Sequence, residues 1–422
     1  MKPTGFRTIH HLSFAAAAGL GLLLAAGCDG RTPQPEPAAT ADVVPPGPTP
    51  VAHPPAPVAT AVTPTVQSSG AAERRPVLAG GPVPTGFVAW SVTFVSDRQA
   101  YVLGDAPCLR PPCTSVVRTL DGGRSWRGVP APRAPLPPPA PTATAQSPDT
   151  VREMSPDTVR EIRFATGQDG YAYGGGLWTT HDGARTWRRV SGLDTVLDLE
   201  IDGRTTYAVV GHCAGLGRCR SGLLASPVSA DRFRPVTGLE PRPVDGLDAA
   251  VSTGAGLTVF SFGGARYIHR RTAGWTRMTE PCQPLGGAVV APASGATLTA
   301  YCAEGAAGSV YLTIRKATGL GQHWTTVPGA ALRLPDGLTA VTAGSATTLA
   351  AAAAVPGLGG GLAVSRDGGR TWSAVSTPSR SIGWRYVGAR SATALVALVD
   401  PPAPTLWTSD TAGRTWTIHP IR

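Results

Sequence analysis

The sequence predicts an all-β chain, a seven-bladed β-propeller of four-stranded antiparallel blades, preceded by a disordered tether. Three observations carry this. A short turn signature recurs along the chain. Aromatic residues stand at a period in the forties. Past the first apolar run, short strand-like stretches alternate with Gly-, Asp- and Ser-rich turns, and no long amphipathic helical pattern appears.

The signature is clearest at Ser365-Arg366-Asp367-Gly368-Gly369-Arg370-Thr371-Trp372. It recurs from Thr119 to Trp126, from Thr180 to Trp187 with Ala184 where a Gly is usual, and, one residue longer, from Thr408 to Trp416. A short carboxylate in a tight turn accepts hydrogen bonds from nearby backbone N–H groups, and Ser or Thr does so more weakly. Gly supplies the positive φ that such hairpins need. Asp121, Asp182, Asp367 and Asp410 are therefore expected to be structural. Trp126, Trp187, Trp372 and Trp416 each open a strand with an apolar plate that packs between sheets.

These copies of S/T-x-D-x-G-x-S/T-W resemble the Asp-box (BNR) repeat, found on the outer hairpins of propeller blades. The resemblance implies a folding device and not an active site. From about residue 83 the chain resembles the BNR-repeat photosystem II stability/assembly factor-like and sialidase-like propeller superfamily. The first of these is seven-bladed, and in some bacteria lipid-anchored. What that resemblance implies is a rigid disc presenting loops to a protein or glycan partner.

Residues 1–27 have signal-peptide anatomy: Lys2 and Arg7 precede an apolar run from about Leu12 to Ala26 that is short for a membrane span. Leu24-Ala25-Ala26-Gly27-Cys28 looks like a bacterial lipobox, which implies that Cys28 is acylated and that the chain is exported and anchored to the cell membrane. Ordinary secretion with nearby cleavage is the alternative. Residues 28–82 are dominated by Pro, Ala, Thr and Val, too poor in large apolar groups to offset the entropy of ordering, and read as an extended tether.

In the body, residues 83–422, seven aromatic anchors line up: Trp126, Trp187, Phe233, Trp275, Trp324, Trp372 and Trp416, separated by 61, 46, 42, 49, 48 and 44 residues. Four-stranded blades need such a period, although the spacing also admits six or eight. In the second unit Arg160–Ala165, Gly170–Gly174, Leu177–Thr180 and Arg185–Val190 read as successive strands. The one long gap holds an insertion at about 131–159. There a Pro-rich stretch precedes Ser-Pro-Asp-Thr-Val-Arg-Glu at 147–153, repeated at 155–161, the second copy leading into a strand. How the ring closes stays open: the last unit carries its own outer strand, and Pro76-Val77-Leu78 is a candidate contributor.

Setting Cys28 aside, six cysteines remain, an even set that reads as disulfides in an exported chain. The blade map pairs Cys108 with Cys113, Cys213 with Cys219, and Cys282 with Cys302, all on one face. Loop entropy makes the short bridges worth about 2 kcal/mol and the longer one about 3. No metal-ligand spacing appears, and no cofactor is expected.

The formal charge is +10, and Lys occurs only at 2 and 316, so the positive charge is almost all Arg. Arg124, Arg185, Arg370 and Arg414 hold the same place in the four turns and should ring the face opposite the disulfides. Solvation of turn tips explains them most simply; weak attraction to an anionic envelope polymer or partner is the sharper idea. No nucleic-acid motif appears.

A glycosidase is weighed because of the sialidase likeness. The Phe/Tyr-Arg-Ile-Pro signature of sialidases is absent, since Phe233-Arg234-Pro235-Val236 lacks the Ile. The acids expected on the disulfide face, Asp105, Glu280, Glu304 and Asp400, show no pairing with an Arg/Tyr arrangement. His212 and His269 lack a nucleophile motif. Trp90 and Trp384, near inner strands, are candidates for stacking on a sugar or for packing between blades. The resulting expectation is a monomeric, non-catalytic envelope lipoprotein whose propeller scaffolds a protein or glycan partner, with an exo-glycosidase or glycan-binding lectin as the alternative.

Overall fold

A computed structural model describes residues 9–10, 80–137, 157–193, 195–213, 219–244, 249–262, 265–270, 273–282, 287–293, 297–306, 309–318, 320–329, 331–334, 340–352, 361–375, 383–399 and 405–422. Seven antiparallel sheets follow one another along the chain, each built from four consecutive strands. The innermost strands are Val88–Phe94, Val159–Phe164, Val196–Asp202, Ala249–Gly254, Gly287–Pro292, Ala340–Ala343 and Trp384–Ala389. The outermost are Arg127–Val129, Arg188–Arg189, Arg234–Pro235, Trp275–Arg277, Thr325–Thr326, Ser373–Ala374 and Thr417–Pro420. Each outermost strand begins at, or one residue after, one of the seven aromatic anchors, so the count is seven and not six or eight.

The blades stack face to face, and seven apolar clusters fill the seven gaps. Between the first and second blades lie Tyr101, Leu103, Ile162 and Phe164, the two rings stacked 3.7 Å apart. The aromatic anchors have a common direction: each reaches back into the gap shared with the preceding blade. Trp187 packs on the first blade, Phe233 on the second, Trp275 on the third, Trp324 on the fourth, Trp372 on the fifth and Trp416 on the sixth. Two of them also donate an indole N–H to a carbonyl just past the preceding outer strand, Trp187 to Pro130 at 2.9 Å and Trp324 to Thr279 at 3.2 Å.

Ring closure follows the same rule. Trp126 packs with Phe87, Val92 and Phe94 of the first blade against Tyr386, Val396, Leu398 and Leu406 of the last. Among the described residues no strand is exchanged between the first and last blades, and the last blade holds four strands of its own. The chain enters instead along the outer edge of the first blade, where Gly81 and Gly128 exchange two backbone hydrogen bonds of 2.9 Å. Pro76-Val77-Leu78 lie outside the described residues, as do Cys28, the tether up to residue 79 and the first Ser-Pro-Asp-Thr-Val-Arg-Glu copy. Of the expected insertion, residues 131–137 are held down: Ala134 is buried, and Val159 N–H donates to Pro135 at 2.9 Å.

Among the described residues, the inner strands other than Ala340–Ala343 have one edge without a neighbouring strand, and their backbone groups need other partners. Side chains of adjacent blades supply several. Ser91 and Thr93 hydroxyls accept from Ile162 and Phe164 N–H, each at 3.2 Å, and Asp198 accepts from Val251 N–H at 2.9 Å. The third and fifth blades depart from the rest. Their second and third strands are nine and ten residues long, and each gains a fifth strand, Arg242–Val244 and Leu332–Leu334. Ile9–His10 adds a two-residue strand beside Ala340–Ala343.

Candidate functional site

Three carboxylate turns share one hydrogen-bond pattern. Asp121 accepts from the Ser125 N–H at 2.9 Å and its hydroxyl at 2.6 Å, and from Thr119 Oγ1 at 2.8 Å. The Thr119 hydroxyl in turn accepts from Gly123 N–H at 2.9 Å. Asp182 and Asp367 repeat this with Thr186 and Thr371. Partial burial works against the charge of Asp121, but the Ser125 hydroxyl and N–H outweigh it and hold the carboxyl down to about 2. At Asp367 the Thr371 hydroxyl and N–H lower the carboxyl still further. Two consecutive residues in each turn have positive φ: Gly122 and Gly123, Gly183 and Ala184, Gly368 and Gly369, Ala412 and Gly413.

The fourth turn corrects the expected register. It is eight residues long, Ser409 to Trp416, and Thr411 stands where the others have Asp. Thr411 Oγ1 accepts from Thr415 N–H at 2.9 Å and lies 2.8 Å from the Thr415 hydroxyl. Asp410 points elsewhere, 2.7 Å from Arg390 Nη2. The turn needs its acceptor two residues after the Ser or Thr that opens it, and Asp410 comes one residue too early. All four turns lie at the end of the blades opposite the disulfides, because strands alternate in direction and the turns join third to outermost strands.

At the other end stand the cysteines. Cys108–Cys113 closes the loop between the second and third strands of the first blade, and Cys282–Cys302 ties the entry to the fifth blade onto its second strand. Cys302 sits within that strand and not at its end, because the strand continues to Ala306. Positions 213 and 219 face each other in the hairpin register, and their side chains lie outside the described ones. The closed loop from Cys108 to Cys113 presents Leu109 at 102% relative exposure beside exposed Arg110. Three residues before it, Asp105 accepts the Trp90 indole N–H at 2.8 Å, and the Arg385 guanidinium lies 4.4 Å over the Trp90 ring. Trp90 and Arg385, with Arg160 and Leu197, sit at register shifts near the starts of four inner strands. Such bulges re-aim the side chains they carry; Leu197 packs in the gap between the third and fourth blades.

Deeper in the channel lies a cluster that sequence reasoning missed. Glu161, Arg163, Asp198 and Glu200 are all buried. Ser91 donates to Glu161 at 2.6 Å, and Arg163 Nε donates to Glu200 at 3.2 Å. Asp198 accepts from Leu199 and Val251 N–H. Burial pushes Glu200 up to about 8 against the pull of Arg163, and burial raises Glu161 and Asp198 as well. The available signal was charge alternation within otherwise apolar inner strands, Val-Arg-Glu-Ile-Arg-Phe and Val-Leu-Asp-Leu-Glu-Ile-Asp.

The structure scatters the acids weighed for glycoside hydrolysis. Asp105 holds Trp90, Glu280 pairs with Arg266 at 2.6 Å, and Glu304 accepts from the Thr313 hydroxyl at 2.9 Å. Asp400 and the side chain of His212 lie outside the described residues. His269 stacks on Trp275 with centroids 5.0 Å apart. Trp384 is fully buried, edge-on to Trp407 at 5.2 Å, which leaves Trp90 as the half-exposed ring of the pair. Among the described residues no group of three or more His, Cys, Asp and Glu could hold a metal ion. The two disulfides mark an oxidising, non-cytoplasmic setting.

No protein-family model matches the chain. No curated protein matches it in sequence. Among solved structures, "YCF48 bound to D1 peptide" is similar at 14% identity and TM-score 0.44, covering 77% of this chain and 96% of that one. YCF48 from Cyanidioschyzon merolae is similar at 12% identity and TM-score 0.46, covering 79% and 98%. A PL25 ulvan lyase is similar at 10% identity and TM-score 0.42, covering 81% and 93%. These are likenesses of fold alone.

Proposed function

We propose that this chain is a non-catalytic cell-envelope lipoprotein, anchored through Cys28, whose propeller binds a protein partner at its disulfide-bearing face. One observation carries the reading: a covalently closed loop holds a fully exposed Leu109 and exposed Arg110 beside the Trp90–Arg385 pair at the channel mouth. Trp and Arg dominate the energetics of protein interfaces, and a loop already fixed loses little entropy on docking. The longer hairpins of the third and fifth blades extend the same face.

The test is crosslinking in intact envelopes with the full chain and its anchor. Leu109→Asp with Arg110→Glu is expected to lower capture of the dominant partner by tenfold or more, since a central contact contributes about 1–2 kcal/mol or more. Unchanged capture by that double variant sinks the reading. Release of fluorophore from a sialoside or another aryl glycoside at enzymatic rates would establish the glycosidase alternative instead.

A further inference from the structure

The two bridges of the disulfide-bearing face have opposite surroundings. Cys282 and Cys302 are 5% and 0% exposed and pack with Leu257, Met278 and Leu298 in the gap between the fourth and fifth blades. Cys108 is exposed and Cys113 half-buried, at the neck of a loop in which every residue from Pro107 to Pro112 is exposed. A thiolate in solution reaches Cys108 without any strand moving, whereas the buried pair is reached only when its blade opens.

The exposed bridge is also the one its blade needs less. The hairpin is already paired up to the base of the loop: Asp105 pairs with Thr114, and the Ala106 N–H donates to the Cys113 carbonyl at 3.2 Å. Ala106 is buried among the apolar side chains of the first blade, and the Thr114 hydroxyl donates to the Ala134 carbonyl. Pro107, Pro111 and Pro112 restrict the loop in the unfolded chain as well. A covalent link therefore removes less entropy there than loop length alone implies. What the bridge does govern is how Leu109 and Arg110 stand, since they are two of the four residues between its cysteines.

We infer that Cys108–Cys113 is a thiol–disulfide exchange site that switches the presentation of Leu109 and Arg110, an inference that rests on the partner-binding reading of that loop. The reductant it takes is an external dithiol. One thiolate of the dithiol attacks Cys108 Sγ, the Cys108–Cys113 bond breaks, and the Cys113 thiolate leaves and takes a proton from water. The second thiolate of the dithiol then closes on the first, and the Cys108 thiolate leaves in turn and is protonated. Two electrons and two protons pass from the dithiol to the bridge, and the dithiol becomes a disulfide. Once reduced, the loop loses its closure while the hairpin beneath keeps its ladder. Docking must then order Leu109 and Arg110 at an entropic cost that the closed loop has already met.

The chemistry is tested on the full chain made unacylable by Cys28→Ser, exposed to dithiothreitol without denaturant, quenched by alkylation and mapped by peptide mass. Labelling at Cys108 and Cys113 is expected to be on the order of a hundredfold faster than at Cys282 and Cys302, with thermal unfolding still cooperative. The consequence is tested by crosslinking the anchored chain in intact envelopes. Cys108→Ser/Cys113→Ser, which keeps the loop open without a reductant, should lower capture of the dominant partner about three- to tenfold. If that variant does not fold, envelopes treated briefly with dithiothreitol and then iodoacetamide take its place, with the same loss expected. Labelling at Cys108 and Cys113 no faster than at the buried pair overturns the exchange site, and capture unchanged by opening the loop overturns the switch. In either case partner binding stands if Leu109→Asp/Arg110→Glu still lowers capture. If that double variant captures as much as the parent, the partner-binding reading fails and the inference falls with it.

Discussion

At the scale of the residue, the fourth turn shows what the other three gain from a carboxylate. Thr411 satisfies the Thr415 N–H, but one neutral hydroxyl does the work that two carboxylate oxygens do elsewhere. Charge-assisted hydrogen bonds are roughly twice as strong as neutral ones. Thr411→Asp should therefore stabilise the protein by about 0.5–1.5 kcal/mol, read as a higher denaturant midpoint with an unchanged slope. An unchanged or lowered midpoint would mean that nearby Asp410 repels the new carboxylate by more than the turn gains. The turns themselves were legible because Asp, Gly and Trp recur at fixed offsets. Their fourth register was not, because Asp410 supplied the expected residue type one place early. Only the geometry reveals that a turn with Ala412 and Gly413 at positive φ is completed by a hydroxyl.

At the scale of the element, the strands were readable and the inner-strand chemistry was not. In the second blade Gly170–Gly174 and Leu177–Thr180 are as the alternation predicts, and the outermost strand is shorter, Arg188–Arg189. Periodicity of two says which residues share a face, but it does not say whether that face meets water or a narrow channel. Hence Glu161, Asp198 and Glu200 look in sequence like any polar side of a half-buried strand. Their burial has a consequence for pH. Glu200 holds its proton to about 8 in the folded protein, against an ordinary value of 4.5. Between these values the unfolded chain binds fewer protons, so folding stability falls as pH rises through that window. Burial is the largest cause of that shift, opposed by the Arg163 charge and hydrogen bond and reinforced by the Asp198 charge. Glu200→Gln keeps an oxygen for Arg163 Nε and removes the titration. Its advantage over the parent should be small near pH 5 and grow to about 2–4 kcal/mol by pH 9. Parallel stability profiles for the two proteins over that range would rule this out.

At the scale of the whole molecule, the ring is seven repetitions of one joint. Each blade is four consecutive strands, and each gap holds an apolar cluster with an aromatic anchor from the later blade. The gap between the last and first blades differs only in sequence distance. There Arg390 stacks 5.2 Å from Phe94 and lies between Asp97 and Asp410, which are 293 and 20 residues away. That joint could not be read from the sequence, since no local pattern pairs residue 97 with residue 390. If it is equivalent to the others, the position of the chain ends should not matter. A circular permutant that links residue 422 to residue 80 and opens the chain between residues 334 and 340 keeps all seven joints. Exchanging one connecting loop for another changes loop entropy by only about 1 kcal/mol. The permutant should therefore unfold in a single transition, with stability within about 1–2 kcal/mol of the same residues in native order. Two separate transitions, or a loss well beyond that range, would show that the joint between the first and last blades is a weak seam held by chain order. In that case packing around Trp126, Tyr386 and Arg390 would not suffice to close the ring.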